Sequence, residues 1–230
     1  AGATIAWAME MAETGRFADQ GLDKESLRFG STESVLEMIE KIAYRKGVGD
    51  LLAEGSLRAA QIIGGDAEKY VVHVKGLEVA MHDPRAMKDM RDNYPITPTG
   101  GDHTGAGLKR TSVRNTVGLC QFLQYNDAKA LELLNAATGW AMTPEELHET
   151  FERGLTLARL FNLREGMTAD DDRLPDRLHE PIRMGPLTNH VLSRSEIRNY
   201  VAGYYEERGW DKEDGRPYTD TLAHLNIDIE

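Results

Sequence analysis

The sequence is poor in the residues that would let it build a covalent or metal framework of its own. It holds one cysteine, Cys120, in 230 residues. An internal disulfide is therefore excluded, and so is a four-cysteine zinc or iron–sulfur site made by this chain alone. Cations are scarce too: 27 Lys+Arg stand against 38 Asp+Glu, a formal net charge of −11. Nucleic-acid binding wants a basic stripe, so that class is excluded as well. No stretch reaches the roughly 18 apolar residues of a membrane span. The opening apolar run stops at Glu10 and follows no basic segment, so it reads as neither a secretory signal nor a span. With no such signal the expected compartment is the cytoplasm. The helical pattern starts abruptly at Ala3, with no capping residue clearly placed before it. That start fits either a processed terminus or a missing upstream part.

What is present is mostly helical punctuation. Over residues 34–45, Val35, Met38, Ile39, Ile42 and Ala43 recur at three- and four-residue spacing and make one apolar face. Ser31 and Thr32 are candidate caps, and Gly47 is a natural stop. Residues 50–63 read as a second helix, ended by Gly64-Gly65. Residues 70–74 are the one convincing strand, rich in valine. From 81 to 107 the text turns irregular, with Pro84, Pro95, Pro98 and four glycines. Long loops of this kind inside compact domains are usually functional. Helices resume after Asn126. Thr143-Pro144-Glu145-Glu146 and Ser193-Arg194-Ser195-Glu196 are capping-box starts, and Thr219 can cap a last short helix. Residues 173–186 form another proline-rich loop. No repeat or low-complexity tract appears. The expectation is an all-α, multihelical chain in two packed helical subdomains, 1–107 and 108–230, with long irregular functional loops.

Four sets of residues could carry chemistry. His82-Asp83 and Asp102-His103 lie in the irregular stretch, and two His–Asp contacts suit metal binding or acid–base work. The plainer reading is that both aspartates make turns. A His-Asp dipeptide also marks metal-dependent phosphohydrolases, but the further histidines and aspartates at helical spacing are missing. Cys120 follows Val117-Gly118-Leu119. A lone cysteine in such a run is ordinarily a small buried apolar residue, while Gly118 hints at close backbone approach. Arg159 to Gly166 reads as a helix end with basic residues complementing the dipole and a glycine stop. Asp170-Asp171-Asp172 reads as a solvated turn rather than a cation site.

Taken in order, these residues resemble a family: the C-terminal helical domains of the tungsten-containing aldehyde:ferredoxin oxidoreductases. The resemblance runs over nearly the whole chain. It is carried by Gly2 to Glu10, by Gly49 to Gly55, and by Lys75-Gly76-Leu77-Glu78 leading to Asp83-Pro84-Arg85. Residues 115–120 match the pattern Asp-x-x-Gly-Leu-Cys. Arg159 to Gly166, Leu174-Pro175-x-Arg177 and Tyr204-Tyr205-x-x-Arg208-Gly209-Trp210-Asp211 complete it.

The resemblance implies an oxidoreductase that turns aldehydes into carboxylic acids and passes electrons to ferredoxin. It implies a tungsten (or molybdenum) bis-pterin and a [4Fe–4S] cluster. Cys120 is implied as the fourth cluster ligand, the other three coming from an upstream cysteine pattern that this chain lacks. Gly118 and Leu119 are implied to bring backbone against a pterin. Asn115 stands where the family has an aspartate that bonds a pterin amino group; an amide oxygen still accepts but brings no charge. His103 matches the family histidine thought to assist proton transfer, a role that suits an imidazole. His82 stands where many members have tyrosine, and facing the pocket it would alter substrate choice. Lys109 or Arg110 is the nearest cation after His103. Activity of this chain without an N-terminal cofactor domain is not expected. Implied partners are that domain, ferredoxin, an aldehyde and a second copy in a homo-oligomer. The alternative is a non-catalytic helical module that has lost the cofactor.

Overall fold

A computed structural model gives the fold, and it describes residues 1–20, 25–104, 115–120, 122–123, 125–182 and 184–228. Lys109 and Arg110, the expected cations after His103, lie outside the described residues. The described chain is mostly helical, with one two-stranded sheet. The expectation of an all-α, multihelical fold holds. The helices are α1 (Gly2–Glu13), α2 (Thr32–Ala43), α3 (Val48–Leu52), α4 (Ser56–Ile63), α5 (Lys88–Ile96), α6 (Asp127–Thr138), α7 (Pro144–Arg164), α8 (Arg194–Glu207) and α9 (Thr219–His224). None of them is long and apolar enough to cross a membrane.

The start signals sit where the side chains act. Ser31 caps α2 through Ser34 N–H at 3.2 Å, and Asn126 caps α6 through Lys129 N–H at 2.9 Å. At α7, Thr143 accepts from Glu146 N–H while Glu146 accepts from Thr143 N–H, a reciprocal box. Ser193 caps α8 through Glu196 N–H at 3.3 Å.

Three expectations are corrected. Residues 50–63 are not one helix. The chain breaks at Gly55, with φ 86°, and α4 restarts at Ser56. The reason lies 22 residues downstream: Glu78 accepts from both the N–H and the hydroxyl of Ser56, each at 2.9 Å, supplying the cap from outside the helix. The strand expected over 70–74 shrinks to β1 (His73–Val74), because a 3₁₀ turn takes Ala67–Tyr70. The irregular stretch 81–107 contains α5. Its sequence has few apolar residues, but Met90 and Tyr94, four apart, are both buried, and Pro95 falls in the last turn, where it ends the helix.

Two main clusters of buried apolar side chains organise the molecule. The first joins α1 to α4 through Trp7, Met11, Phe17, Met38 and Leu52. α1 buries seven of its twelve residues, leaving the face of Ala3, Ala6, Glu10 and Glu13 outermost. The second gathers α5, α7 and α8 around Tyr94, Phe151, Leu155, Val201 and Trp210. A small third cluster holds the C-terminal turn through Leu222, Leu225 and Ile227. The first cluster ends at Val71 and the second begins at Val74, so the hairpin lies at the seam. Polar ties cross it. Arg177 grips Glu10 of α1 with two bonds, at 2.7 and 2.8 Å, and also donates to the Tyr70 carbonyl at 3.0 Å. Glu78, on β2 (Leu77–Glu78), accepts from Thr4 of α1 at 3.0 Å.

Two outcomes follow for stability. α3 crosses α2 so closely that a Cβ at Gly49 would lie 2.2 Å from the Lys41 carbonyl. Gly49→Ala should cost about 1–3 kcal/mol, read as a lowered urea midpoint. Glu78 is half-buried, which opposes its charge, yet the bonds from Ser56 and Thr4 hold its carboxyl below the usual glutamate range. A carboxyl depressed in the folded state stabilises above its unfolded pKa, and that contribution fades as pH falls through the folded value. Glu78→Gln should therefore be less stable near neutrality and show a flatter acid limb in pH-dependent denaturation.

Candidate functional site

The site begins with a tight turn. β1 and β2 pair antiparallel, with Val74 opposite Leu77, leaving Lys75 and Gly76 as a two-residue loop. Both have positive φ, 51° and 82°. Glycine accepts that region freely, whereas lysine enters it at a cost. Lys75 is held there by its own side chain. Its Nζ lies 2.6 Å from Asp172 Oδ1 and donates to the Pro95 carbonyl at 2.5 Å.

The hairpin in turn shapes the loop after α5. Gly100, with φ 94°, lies so near that a Cβ would sit 2.1 Å from the Val74 carbonyl oxygen. A Cβ at Gly101 would sit 2.6 Å from the Leu77 carbonyl oxygen. Gly101 N–H donates to the Val74 carbonyl at 3.2 Å, and the Thr97 hydroxyl donates to the Gly100 carbonyl. Backbone lies against backbone here, which is why two glycines stand together.

The next residues are Asp102 and His103. Asp102 accepts from the N–H and the hydroxyl of Thr104, each at 2.8 Å, and from Thr99 at 3.3 Å. Burial opposes its charge, but these donors hold its carboxyl below the usual range. Asp83 is built alike: burial opposes its charge, and Arg85 holds the carboxyl down through its N–H at 2.9 Å and its guanidinium at 2.7 Å. Both aspartates make turns, as the plainer reading expected. Among the described residues neither is hydrogen-bonded to a histidine.

The histidines meet each other. The rings of His82 and His103 stand 4.6 Å apart between centroids, tilted by 54°. Tyr94 is wholly buried, and its hydroxyl donates to the His82 carbonyl at 3.2 Å. Burial, with the charges of Asp102 and Asp83, pushes the Tyr94 phenol up to about 12, so it stays a donor at neutral pH.

A second group was not expected. Asp172 is buried between two cations, paired with Lys75 on one oxygen and with Arg159 Nη1 at 2.6 Å on the other. The Tyr205 hydroxyl also donates to Asp172. Arg159 spends its remaining donors on the Gly215 and Asp214 carbonyls, both at 3.0 Å, and on Tyr205 at 3.2 Å. Burial lowers the Lys75 pKa from its ordinary value, and Asp172 works against that. So Arg159 is not part of an exposed basic helix end, and Asp172 is not part of a solvated turn. A signal was available: Leu147, Phe151, Leu155 and Arg159 recur every four residues on the buried face of α7. A cation at a core position of such a stripe demands a buried anion.

The remaining expected residues lie in one short segment. Asn115 is exposed, and its carbonyl accepts from Gly118 N–H at 3.0 Å. Gly118 has φ 75°, and among the described residues nothing lies within 4 Å of where a Cβ would stand. Leu119 is half-buried. Cys120 is exposed, not the small buried residue its apolar neighbours suggest. Among the described residues no group of three or more His, Cys, Asp or Glu could hold a metal ion.

Comparison with known proteins places this geometry. A family model described as "Aldehyde ferredoxin oxidoreductase, domains 2 & 3" matches residues 1–110 and 106–227. The chain is 35% identical to a tungsten-containing aldehyde ferredoxin oxidoreductase of Pyrococcus furiosus, over 98% of this chain and 42% of the relative. It is 32% identical to an aliphatic sulfonate oxidoreductase, WOR-like subunit, of the same organism, over 98% of this chain and 39% of that one. The chain thus spans about two fifths of the length of these relatives. Among solved structures, the BamBC active-site complex of benzoyl coenzyme A reductase superposes with a TM-score of 0.68 at 21% identity, over 97% of this chain and 43% of that one. That likeness shows the fold.

Removing the shared anion tests the ion cluster. Asp172→Asn leaves Lys75 and Arg159 buried without a counter-charge and should cost about 3–5 kcal/mol, measured by denaturant unfolding.

Proposed function

The chain belongs to the aldehyde ferredoxin oxidoreductase family, and from that we propose that it forms the helical C-terminal part of a tungsten-dependent (or molybdenum-dependent) enzyme oxidising aldehydes to carboxylic acids with ferredoxin as electron acceptor. The observation that carries the proposal is the exposed thiol of Cys120 after the open, left-handed Gly118. One accessible thiol, in a chain whose described residues gather no metal-binding group, fits a cluster shared with ligands from elsewhere in the protein. Gly118 and Leu119 offer backbone that a pterin can approach, and Asn115 offers an amide where a carboxylate is the family's choice. The tungsten bis-pterin, when bound, supplies the oxygen-atom and redox chemistry.

What this chain contributes is placement and proton handling. His103, on a loop braced by glycine contacts and by the Asp102 turn, is the residue to accept the proton released as the aldehyde is hydrated and oxidised. His82 faces it and shapes substrate access. The partners proposed are an N-terminal cofactor domain, ferredoxin, an aldehyde and a second copy of the enzyme, in the cytoplasm. We place the boundary between two helical domains near residue 107. The two matched segments, which meet at 106–110, support it, although the apolar clusters change over earlier, between Val71 and Val74.

Metal analysis of the anaerobically purified whole protein should find tungsten or molybdenum together with iron. Cys120→Ser should lose cluster iron and its electron paramagnetic signal. His103→Asn should keep the metals and lose about 10²–10⁴ in kcat. Iron and tungsten both missing from the parent protein would favour the non-catalytic module, the reading that Asn115 supports.

A further inference from the structure

We propose that Lys75, anchored by Asp172, is a positioning residue that sets the approach of His82 and His103. The inference rests on the proton-handling role given above to His103 and names what holds that residue in place. Three contacts carry it. The Lys75 ammonium binds Asp172 at 2.6 Å, in a site where the lysine side chain is 2% exposed. The same ammonium takes the Pro95 carbonyl, next to Tyr94, whose hydroxyl holds the His82 carbonyl. The backbone on either side of Lys75 and Gly76 meets Gly100 and Gly101, three and two residues before His103, at a distance that excludes a side chain.

One cation therefore reaches both histidines by separate routes. Through the end of α5 it fixes the floor under His82. Through the hairpin it fixes the loop that carries His103. A buried ammonium in a left-handed turn is a costly way to stabilise a hairpin, since lysine must leave water and accept a positive φ. The cost is intelligible when the ammonium registers two separate segments against each other. The charged groups beside this pair in sequence are Asp83 with Arg85, and Asp102; these and the neutral Tyr94 phenol take their hydrogen bonds from groups other than Lys75.

Two variants of the full-length enzyme test the idea. Lys75→Met removes the ammonium and leaves Asp172 paired with Arg159 and Tyr205. Gly101→Ala leaves the ion cluster alone and pushes the loop off the hairpin. Hydrogen–deuterium exchange at the imidazole C2 position, read residue by residue by mass spectrometry at fixed pH, reports the surroundings of each histidine without requiring activity. In both variants the exchange rates of His82 and His103 should change severalfold, while His148 on α7 and His224 on α9 keep theirs. In the metal-loaded enzyme kcat for an aldehyde should fall about 10–100-fold with a smaller change in KM. Unchanged exchange at His82 and His103 in both variants, with only a lowered melting temperature, would mean a purely structural lysine and overturn the proposal. A change in Lys75→Met without one in Gly101→Ala would overturn the hairpin route. If Lys75→Met does not fold, Lys75→Gln takes its place, and unchanged exchange at both histidines in that variant overturns the proposal. A parent protein that oxidises no aldehyde would overturn the functional reading and leave the exchange result standing.

Discussion

One carboxylate, Asp172, holds two buried cations that come from distant parts of the chain. Lys75 reaches it from the hairpin and Arg159 from the C-terminal third of α7. Buried ion pairs seldom add stability over well-packed apolar residues, because desolvation offsets the Coulomb gain. What they supply is directionality. Asp172 has one oxygen for each cation, and Arg159 has its remaining donors committed to backbone carbonyls and Tyr205. A methionine or leucine in place of Lys75 could slide within a packed core. An ammonium between a carboxylate and the Pro95 carbonyl cannot. The position of the hairpin, the end of α5 and the loop after it all follow from that restriction.

The seam between the two main clusters is where this restriction matters. Apolar packing is close-fitting but non-directional, so two clusters meeting at a seam need polar contacts to fix their register. Arg177 with Glu10 does this on one side, and Glu78 with Thr4 and Ser56 on the other. Lys75 and Glu78 lie at opposite ends of one four-residue hairpin segment, and each reaches into a different cluster. A very small sheet thus acts as the joint of a helical protein, and the residues ahead of His103 rest directly on it.

Local chemistry was legible in the sequence and long-range chemistry was not. Thr143 with Glu146, Asn126 and Ser193 each cap a helix with an atom three residues from the N–H it accepts, so the pattern alone locates the start. The restart at Ser56 depends on Glu78, 22 residues away, and no local pattern reveals it. Helix α5 was hidden for another reason. Before its last turn, where Tyr94, Pro95 and Ile96 are buried, Met90 is its one buried apolar residue, too little to make a periodic signal against Lys88, Asp89, Arg91 and Asp92. At the site, His82 and His103 were both found from their residue types. Their meeting was not, since it is set by glycine contacts to a strand that sequence alone makes too long. In the sequence Asp172 looks solvated because two acidic neighbours disguise it, and only the cation at a core position of α7 betrays it.

These observations also divide the work among the motifs by which the family is recognised. Lys75-Gly76 makes the hairpin and its anchor. Asp83-Pro84-Arg85 makes a turn whose guanidinium donates to the Glu180 carbonyl at 3.2 Å. Arg159 and Arg177 tie helices together. Gly209 lies where a Cβ would meet the Thr221 hydroxyl at 2.3 Å, beside the buried Trp210. All of these are uses of packing and internal hydrogen bonding, and none requires a ligand. The segment from Asn115 to Cys120 differs: Asn115, Gly118 and Cys120 are exposed, and among the described residues nothing crowds the α-carbon of Gly118. A residue spent on internal packing constrains the scaffold whatever reaction it serves, whereas an exposed thiol beside open backbone constrains what can approach. In the function proposed above, the chemistry rests on few positions, Asn115 to Cys120 and the facing pair His82 and His103. Asn115, which stands where the resembled pattern has aspartate, falls within that small set and not in the scaffold that surrounds it.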